Sequence, residues 1–460
     1  MNEKAYLSFH GGVGSVTGAN FLLEVGGKRI LVDCGLVQGS QFADEENRKD
    51  FVFEPSSIDV LFVTHAHIDH IGRIPKLVAE GFSGKIYSTP ETQALTELMF
   101  QDALKLIEAE CQKNGTLPLY EHKDVVRSLG LWNTISYHER LDLTPDVSVY
   151  AKDAGHILGS AMYNITFPTE SGEKRTIVFT GDLGNTPSPI LKDTEPIENA
   201  DYIVMESVYG DRNHEDRGLR RTRLKEVIVG AIKRKGTLII PTFSIEKTQV
   251  LLYELRVLEE KKDIPSVPVF LDSPLAIEVT QIYESMRHDF NQTATREGGV
   301  GDIFKFPHLK HTPHSEQSKA IRSVPPPKII IAGSGMSNGG RIMHHEVEYL
   351  PGGQNTILFI GYQAAGTVGR HIQDGAKEVT INGQKVPVRA RVETITGYSS
   401  HKDSDHLVAF VETAAQSRPH LTAFVVMGEP KSSLFLAQRL REYVGVNAVH
   451  PELGDRVELD

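Results

Sequence analysis

The chain has 460 residues, 40% of them hydrophobic and 24% charged, and a formal net charge of −11. That length exceeds what a single hydrophobic core supports, so two domains are expected. The acidic balance excludes a protein that coats nucleic acid indiscriminately; any nucleic-acid contact must be local or helped by the positive charge of bound metal. Cys34 and Cys111 are the only cysteines, which excludes a disulfide framework and a cysteine zinc ribbon and fits a reducing cytosol. The start, Met1-Asn2-Glu3-Lys4, has no apolar run long enough for a signal or a membrane span. A soluble, cytoplasmic protein with no membrane partner is expected.

In chain order, the first sixty residues read as β-structure. Tyr6–Phe9, Asn20–Val25 and Arg29–Asp33 are short apolar runs, the last two separated by Gly26-Gly27 as in a two-residue hairpin. Val60–Val63 is a further buried strand. From Pro90 to Glu110 the spacing is helical, with Leu95, Leu98, Met99, Ala103, Leu104 and Ile107 along one face. Strands follow at Val147–Val149, Tyr163–Phe167 and Thr176–Phe179, the last leading into Thr180-Gly181-Asp182. Near residue 207 the texture changes. Leu224–Lys235 is a basic amphipathic helix, after which Thr237–Ile240, Pro268–Leu271 and Lys328–Ala332 alternate with helical stretches, the pattern of a parallel α/β layer. Lys377 to Glu393 reads as a hairpin closed by Asn382-Gly383. There is no internal repeat, low-complexity tract or long linker.

The chemistry concentrates at Thr64-His65-Ala66-His67-Ile68-Asp69-His70, directly after the Val60–Val63 strand. Four ligand-type side chains in six positions suit a borderline divalent ion such as Zn²⁺. The spacing divides between two ions: His65 and His67 converge on one, Asp69 and His70 face a second. His156, between Gly155 and Gly159, and Asp182, at a strand end, extend the set. Two zinc ions need about eight protein or water ligands between them. His65, His67 and His156 would fill one site, and Asp182 could bridge to the other.

The ordered set His65-x-His67-x-Asp69-His70, His156 and Asp182 resembles the metallo-β-lactamase fold hydrolases, as do Gly14-Ser15-Val16-Thr17-Gly18 and Asp33-Cys34-Gly35. More specifically the chain resembles the β-CASP nucleases, the branch containing ribonuclease J and the endonuclease of pre-mRNA 3′-end processing. Glu206-Ser207-Val208-Tyr209-Gly210 is similar to the branch's acidic first motif and Ser399-Ser400-His401-Lys402-Asp403 to its histidine motif. Asp272-Ser273-Pro274, Gly333-Ser334-Gly335-Met336 and Gly361-Tyr362-Gln363 lie between. The likeness runs from about residue 6 to the C-terminus. It implies an α/β fold: a metallo-β-lactamase αββα sandwich, made of residues 1–208 and 391–460, with a β-CASP α/β domain at 209–390 inserted.

The resemblance also implies roles. The metals supply an activated hydroxide and neutralise the phosphoryl oxygens, with Asp69 among the catalytic groups. His401, oriented and kept protonated by Glu206, is placed as general acid for the leaving alkoxide. RNA-cleaving members carry a histidine ligand just before a Gly-Glu pair, whereas this chain has Met427 before Gly428-Glu429. A thioether is a poor ligand for Zn²⁺ beside oxygen donors. One zinc ion is therefore expected firmly on His65, His67, His156 and Asp182, and the ion of Asp69 and His70 more weakly. Nothing in the sequence places His406 or His450 as a substitute. The implied activity is zinc-dependent hydrolysis of single-stranded RNA; the alternatives are a DNA nuclease of the same family and a non-catalytic RNA-binding or scaffold subunit. A homodimer is what the resemblance suggests.

Lesser signals remain. Gly333-Ser334-Gly335-Met336-Ser337-Asn338-Gly339 imitates a dinucleotide-binding turn but is one residue too long. Backbone N–H groups at Ser334 and Gly335 meeting a substrate phosphate are the better reading. Arg217, Arg220, Arg221, Arg223 and Lys225 form the densest positive patch, a solvated helix face or a track for RNA backbone. His308, His311, His314 and His344 lack carboxylates at ligand spacing and read as surface.

Overall fold

Strands buried on both faces read as unbroken apolar runs, whereas their side chains alternate between two cores. In the computed structural model, which describes residues 4–39, 42–214, 217–298, 302–364 and 366–460, this alternation builds the first of two compact units, residues 1–213 with 401–460. Val60 and Phe62 enter one core while Leu61 and Val63 enter another. Likewise Ile177 and Phe179 face the core between two sheets, and Val178 faces helices.

Each sheet of this unit has seven strands. One runs in the order Arg456–Leu459, Ala5–Gly11, Asn20–Val25, Lys28–Val32, Val60–Phe62, Lys85–Ser88, Trp132–Thr134. The other runs Asn447–Val449, Thr422–Val425, Tyr202–Met205, Lys174–Phe179, Ala161–Pro168, Ser148–Asp153, Arg140–Asp142. Phe9, Phe21, Phe62, Tyr163, Phe179 and Phe424 fill the space between the sheets. Helices Ile74–Ala79, Pro90–Asn114 and His122–Gly130 cover the outer face of the first sheet. Ser404–Ala415 and Pro430–Arg439 cover the second. The result is the αββα sandwich.

The helix expected at 90–110 continues to Asn114 and stops where Gly115 adopts φ 69°. At its other end the Thr89 side chain accepts from the Thr92 N–H, satisfying a donor the helix cannot.

The second unit, residues 214–400, holds a six-stranded sheet ordered Leu309–His311, Val269–Asp272, Lys328–Ala332, Thr237–Pro241, Thr356–Phe359, Arg391–Thr394. Every adjacent pair is parallel, as the alternation of strand and helix requires. The basic helix starts earlier than expected, at Arg220, and ends at Lys233. Arg220 and Arg221 pair with the buried Glu254 and Lys225 with Asp263, so two carboxylates offset part of the described patch. The Arg217 side chain lies outside the described residues.

The Asn382-Gly383 turn, with φ 50° and 77°, joins Glu378–Ile381 to Gln384–Pro387. Positive φ at both central residues suits the strand twist of a two-residue hairpin. The expected hairpin was drawn too long: Arg391–Thr394 instead pairs parallel with Thr356–Phe359. That pairing keeps the chain in the second unit through residue 400, beyond the return at 391 expected from sequence. Among the described residues no helix is long and apolar enough to cross a membrane.

Candidate metal centre

The strand Val60–Phe62 delivers the ligand run into a loop and the four-residue helix Ile68–Ile71. This segment is held by backbone hydrogen bonds: Ala19 N–H donates to the Asp69 carbonyl at 3.0 Å, Cys34 N–H to His70 at 2.8 Å, and Leu36 N–H to Ile68 at 3.0 Å. Gly35 is required by that approach, because a Cβ there would overlap the Asp69 carbonyl. A second loop brings His156, whose N–H donates to Ser160 Oγ at 2.9 Å. Asp182 arrives from the end of strand Lys174–Phe179.

The ligand-type atoms converge. Nδ1 of His67 lies 3.0 Å from His65 Nε2 and 3.3 Å from His156 Nε2. Asp182 Oδ2 is 3.4 Å from His65 Nε2 and 3.5 Å from His156 Nε2. These four residues offer atoms all within 4.8 Å of one another, the set expected for the first ion. The other carboxylate oxygen, Asp182 Oδ1, is 3.5 Å from His70 Nε2, which is in turn 3.9 Å from Asp69 Oδ2. Asp182 thus straddles the two groups. Among the described residues, His70 Nε2 and Asp182 Oδ1 are both buried without a hydrogen-bond partner. A buried polar atom left unmatched is costly, and two facing atoms of this kind suit an ion between them.

Electrostatics agree with the donor set of the first ion. Burial holds His67 and His156 well below the usual imidazole range, and His65 lower too, so all three favour the neutral, ligating form. Burial opposes charge on His70 as well, but Asp182 and Asp33 outweigh it and hold His70 well above its usual range. Asp182, against its own burial, is kept far below the carboxylate range by His70, His65 and His401.

Two residues left out of the site from sequence, Asp33 and Thr64, stand directly behind its histidines. His70 Nδ1 donates to Asp33 Oδ2 at 2.7 Å, turning Nε2 toward Asp182. Thr64 donates to the same carboxylate through its N–H and its Oγ1, each at 2.8 Å, and Thr64 Oγ1 lies 3.1 Å from His65 Nδ1. A carboxylate behind an imidazole fixes tautomer and ring orientation. The signal was an Asp ending the strand before Cys34-Gly35, visible only as a family likeness; its φ of 59° and its aim are tertiary facts.

Beside the ligand cluster, both Glu206 oxygens lie 3.2 Å from His401 Nδ1, and Leu183 N–H donates to Glu206 Oε1 at 2.6 Å. Burial raises Glu206, with His401 pulling the other way. Met427 lines a narrow cleft together with Asp33, Thr64, His70 and Glu206. Its sulfur packs toward Gly12 and Phe21 in the core between the sheets. Neither suggested substitute is shown joining the cluster: His406 Nδ1 is 2.6 Å from Asp403 Oδ1, and His450 Nδ1 3.0 Å from the Val425 carbonyl.

Ser334 and Gly335 belong to the second unit, after strand Lys328–Ala332. Ser334 N–H donates to the Gly339 carbonyl at 3.2 Å and Gln363 Nε2 to the Gly335 carbonyl at 2.9 Å. The Ser334 N–H expected to meet a phosphate is therefore used inside its own loop. Of the histidines read as surface, His308 pairs with Glu259, while His311, His314 and His344 are exposed.

Fold and donor set together define a metallo-hydrolase. The metallo-beta-lactamase superfamily model matches residues 14–227, the Beta-Casp domain model 248–372, and the model of the Zn-dependent metallo-hydrolase RNA specificity domain 385–451. The chain is 36% identical to Ribonuclease TTHA0252 of Thermus thermophilus over 94% of each chain. It is 32% identical to the Transcription termination factor FttA of Methanosarcina mazei over 93% of this chain and 67% of that one. A solved protein of unknown function from Enterococcus faecalis shares the fold, with TM-score 0.56 and 14% identity over 99% of this chain and 100% of that one. The chain belongs to the β-CASP nuclease family of the metallo-β-lactamase superfamily, a family of divalent-metal hydrolases.

Proposed function

We propose that this chain is a zinc-dependent ribonuclease that hydrolyses phosphodiester bonds of single-stranded RNA in the cytoplasm. The observation that carries the reading is the convergence of His65, His67, His156 and Asp182 beside the Glu206–His401 pair. The RNA specificity domain match and the name of the Thermus relative support RNA as substrate.

His65, His67, His156 and Asp182 would hold one ion; Asp69, His70 and the second oxygen of Asp182 would hold another. Bound zinc supplies Lewis acidity, which makes water nucleophilic near neutral pH and offsets charge at a phosphoryl oxygen. Asp33 aims His70, and Thr64 links His65 to the same carboxylate. Glu206 accepts from His401 Nδ1, which orients the ring and favours its protonated form; the proton on Nε2 is handed to the departing alkoxide. His401 is suited to this because its side chain keeps 21% exposure while Glu206 is fully buried.

Met427 favours a second reading. Thioether in place of an imidazole weakens the second ion and leans toward a DNA nuclease of the same family. Labelled single-stranded RNA and DNA, incubated with the zinc-loaded chain and with an Asp69→Ala/His70→Ala variant, separate these readings. RNA cleavage lost in the variant is expected. Cleavage of DNA alone supports the second reading; no cleavage of either, or equal cleavage by the variant, ends the hydrolase proposal and leaves a binding subunit.

A further inference from the structure

Lys402 follows the general acid directly and is only 5% exposed. Its ammonium donates to the Gly184 carbonyl at 2.7 Å and to Thr186 Oγ1 at 3.4 Å. An ammonium taken out of water is costly unless its donors are met, so a buried lysine bound to a carbonyl is held there for a reason. The same residue's N–H donates to the Leu183 carbonyl at 3.0 Å, and His401 pairs with Gly184 in an isolated antiparallel bridge.

The segment so clamped carries the site. Asp182 is the bridging carboxylate, and Leu183 N–H donates to Glu206. On its far side, Gly184 N–H donates to the Ala154 carbonyl at 2.8 Å, and a Cβ on Gly184 would overlap the Gly155 carbonyl beside His156. Residues 182–186 are therefore wedged between the loop of one ligand and the peptide of the general acid. The backbone bridge alone joins two short irregular stretches, which fray easily; the ammonium adds a charge-assisted bond at the same place.

We infer that Lys402 is a positioning residue: its ammonium, bound to the Gly184 carbonyl, locks the His401 peptide to the Asp182–Gly184 segment so that the general acid and the bridging carboxylate keep a fixed separation. This rests on the hydrolase reading and on His401 as acid. It bonds to the Gly184 carbonyl, Thr186 and the Leu183 carbonyl, so it acts through where it keeps His401.

The test uses the leaving group. Departure of an RNA alkoxide needs a proton, whereas p-nitrophenolate leaves without one, so misplacing the acid slows RNA far more than bis(p-nitrophenyl) phosphate. Lys402→Met keeps side-chain length and removes the donors; Lys402→Gln is the second variant, shorter but still a donor. The ratio of kcat on RNA to kcat on the activated diester is independent of how much of a preparation is folded. For Lys402→Met it is expected to fall about 100-fold, the scale of a 1 Å misplacement, with KM for RNA and zinc per chain unchanged. His401→Ala should lower the same ratio at least as much, and Lys402→Gln by less than Lys402→Met. An unchanged ratio in Lys402→Met, or loss of zinc in step with activity, overturns the inference while leaving the hydrolase reading intact. A wild-type chain that cleaves neither substrate overturns both.

Discussion

Replacing Asp33 by Asn isolates what the carboxylate behind His70 contributes. The side chain is 1% exposed and its volume is nearly kept, and Asn tolerates the φ of 59° as well as Asp does, so backbone strain is not introduced. The change falls on hydrogen bonding. Asn Oδ1 can still accept from Thr64 N–H, now at 2.8 Å from Asp33 Oδ1. Where Oδ2 accepts from His70 Nδ1 at 2.7 Å, the amide presents a donor. His70 must then accept at Nδ1 and carry its proton on Nε2, the atom aimed at Asp182 and the second ion. Loss of such a supporting group costs about 10- to 100-fold in metal affinity, which at about 1.4 kcal/mol per decade is roughly 1.4 to 2.8 kcal/mol. Competitive chelator titration at constant pH should show one zinc per chain weakened by this factor while the ion on His65, His67 and His156 shifts less. Equal weakening of both ions, or none, would refute the assignment of Asp33 to the His70 side of the centre.

Three further outcomes are expected. Met427→His should raise zinc per chain at low free zinc, because an imidazole replaces a thioether beside the cleft shared with His70; two tightly held ions already in the wild type would contradict this. Glu206→Gln should lower kcat on RNA about 10²- to 10⁴-fold, the usual contribution of acid–base groups, with zinc content unchanged; normal turnover would remove Glu206 from the mechanism. In the second unit, burial pushes the Glu346 carboxyl up to about 8. Its stabilisation is thus full below an unfolded value near 4.5 and lost as pH rises toward 8, an upper bound of roughly 5 kcal/mol at about 1.4 kcal/mol per unit. Thermal melts of Glu346→Gln and wild type should therefore diverge across that window, the variant becoming the more stable at high pH; parallel curves would show the carboxyl ionises freely.

The candidate ligands were readable from the chain because metal chemistry restricts residue type and a strand end restricts spacing: His65, His67, Asp69 and His70 stand within six positions. His156 and Asp182 were weaker signals taken singly, a glycine-flanked imidazole and a strand-end carboxylate, and drew force from completing the ligand count and then from the family likeness. Strand positions were also legible, since burial on both faces leaves continuous apolar runs such as Val60–Val63. What periodicity cannot carry is partnership across long separations. Arg391–Thr394 looked like the arm of a hairpin until its parallel pairing with Thr356–Phe359 placed it in the second unit. Arg220 and Arg221 read as a solvated helix face or a track for RNA backbone, whereas both pair with the buried Glu254.

The sequence by itself determined which atoms can bind metal and which segments can be buried, because both follow from side-chain chemistry and local period. Only the tertiary structure decided how those atoms share the work. It set the two oxygens of Asp182 toward different histidines, put Asp33 behind His70, faced Glu206 to His401 across 195 positions of chain, and packed Met427 toward the core. Those relations depend on the close packing of two sheets whose loops meet at one end, and distances of a few ångströms between remote residues leave no periodic trace in the chain.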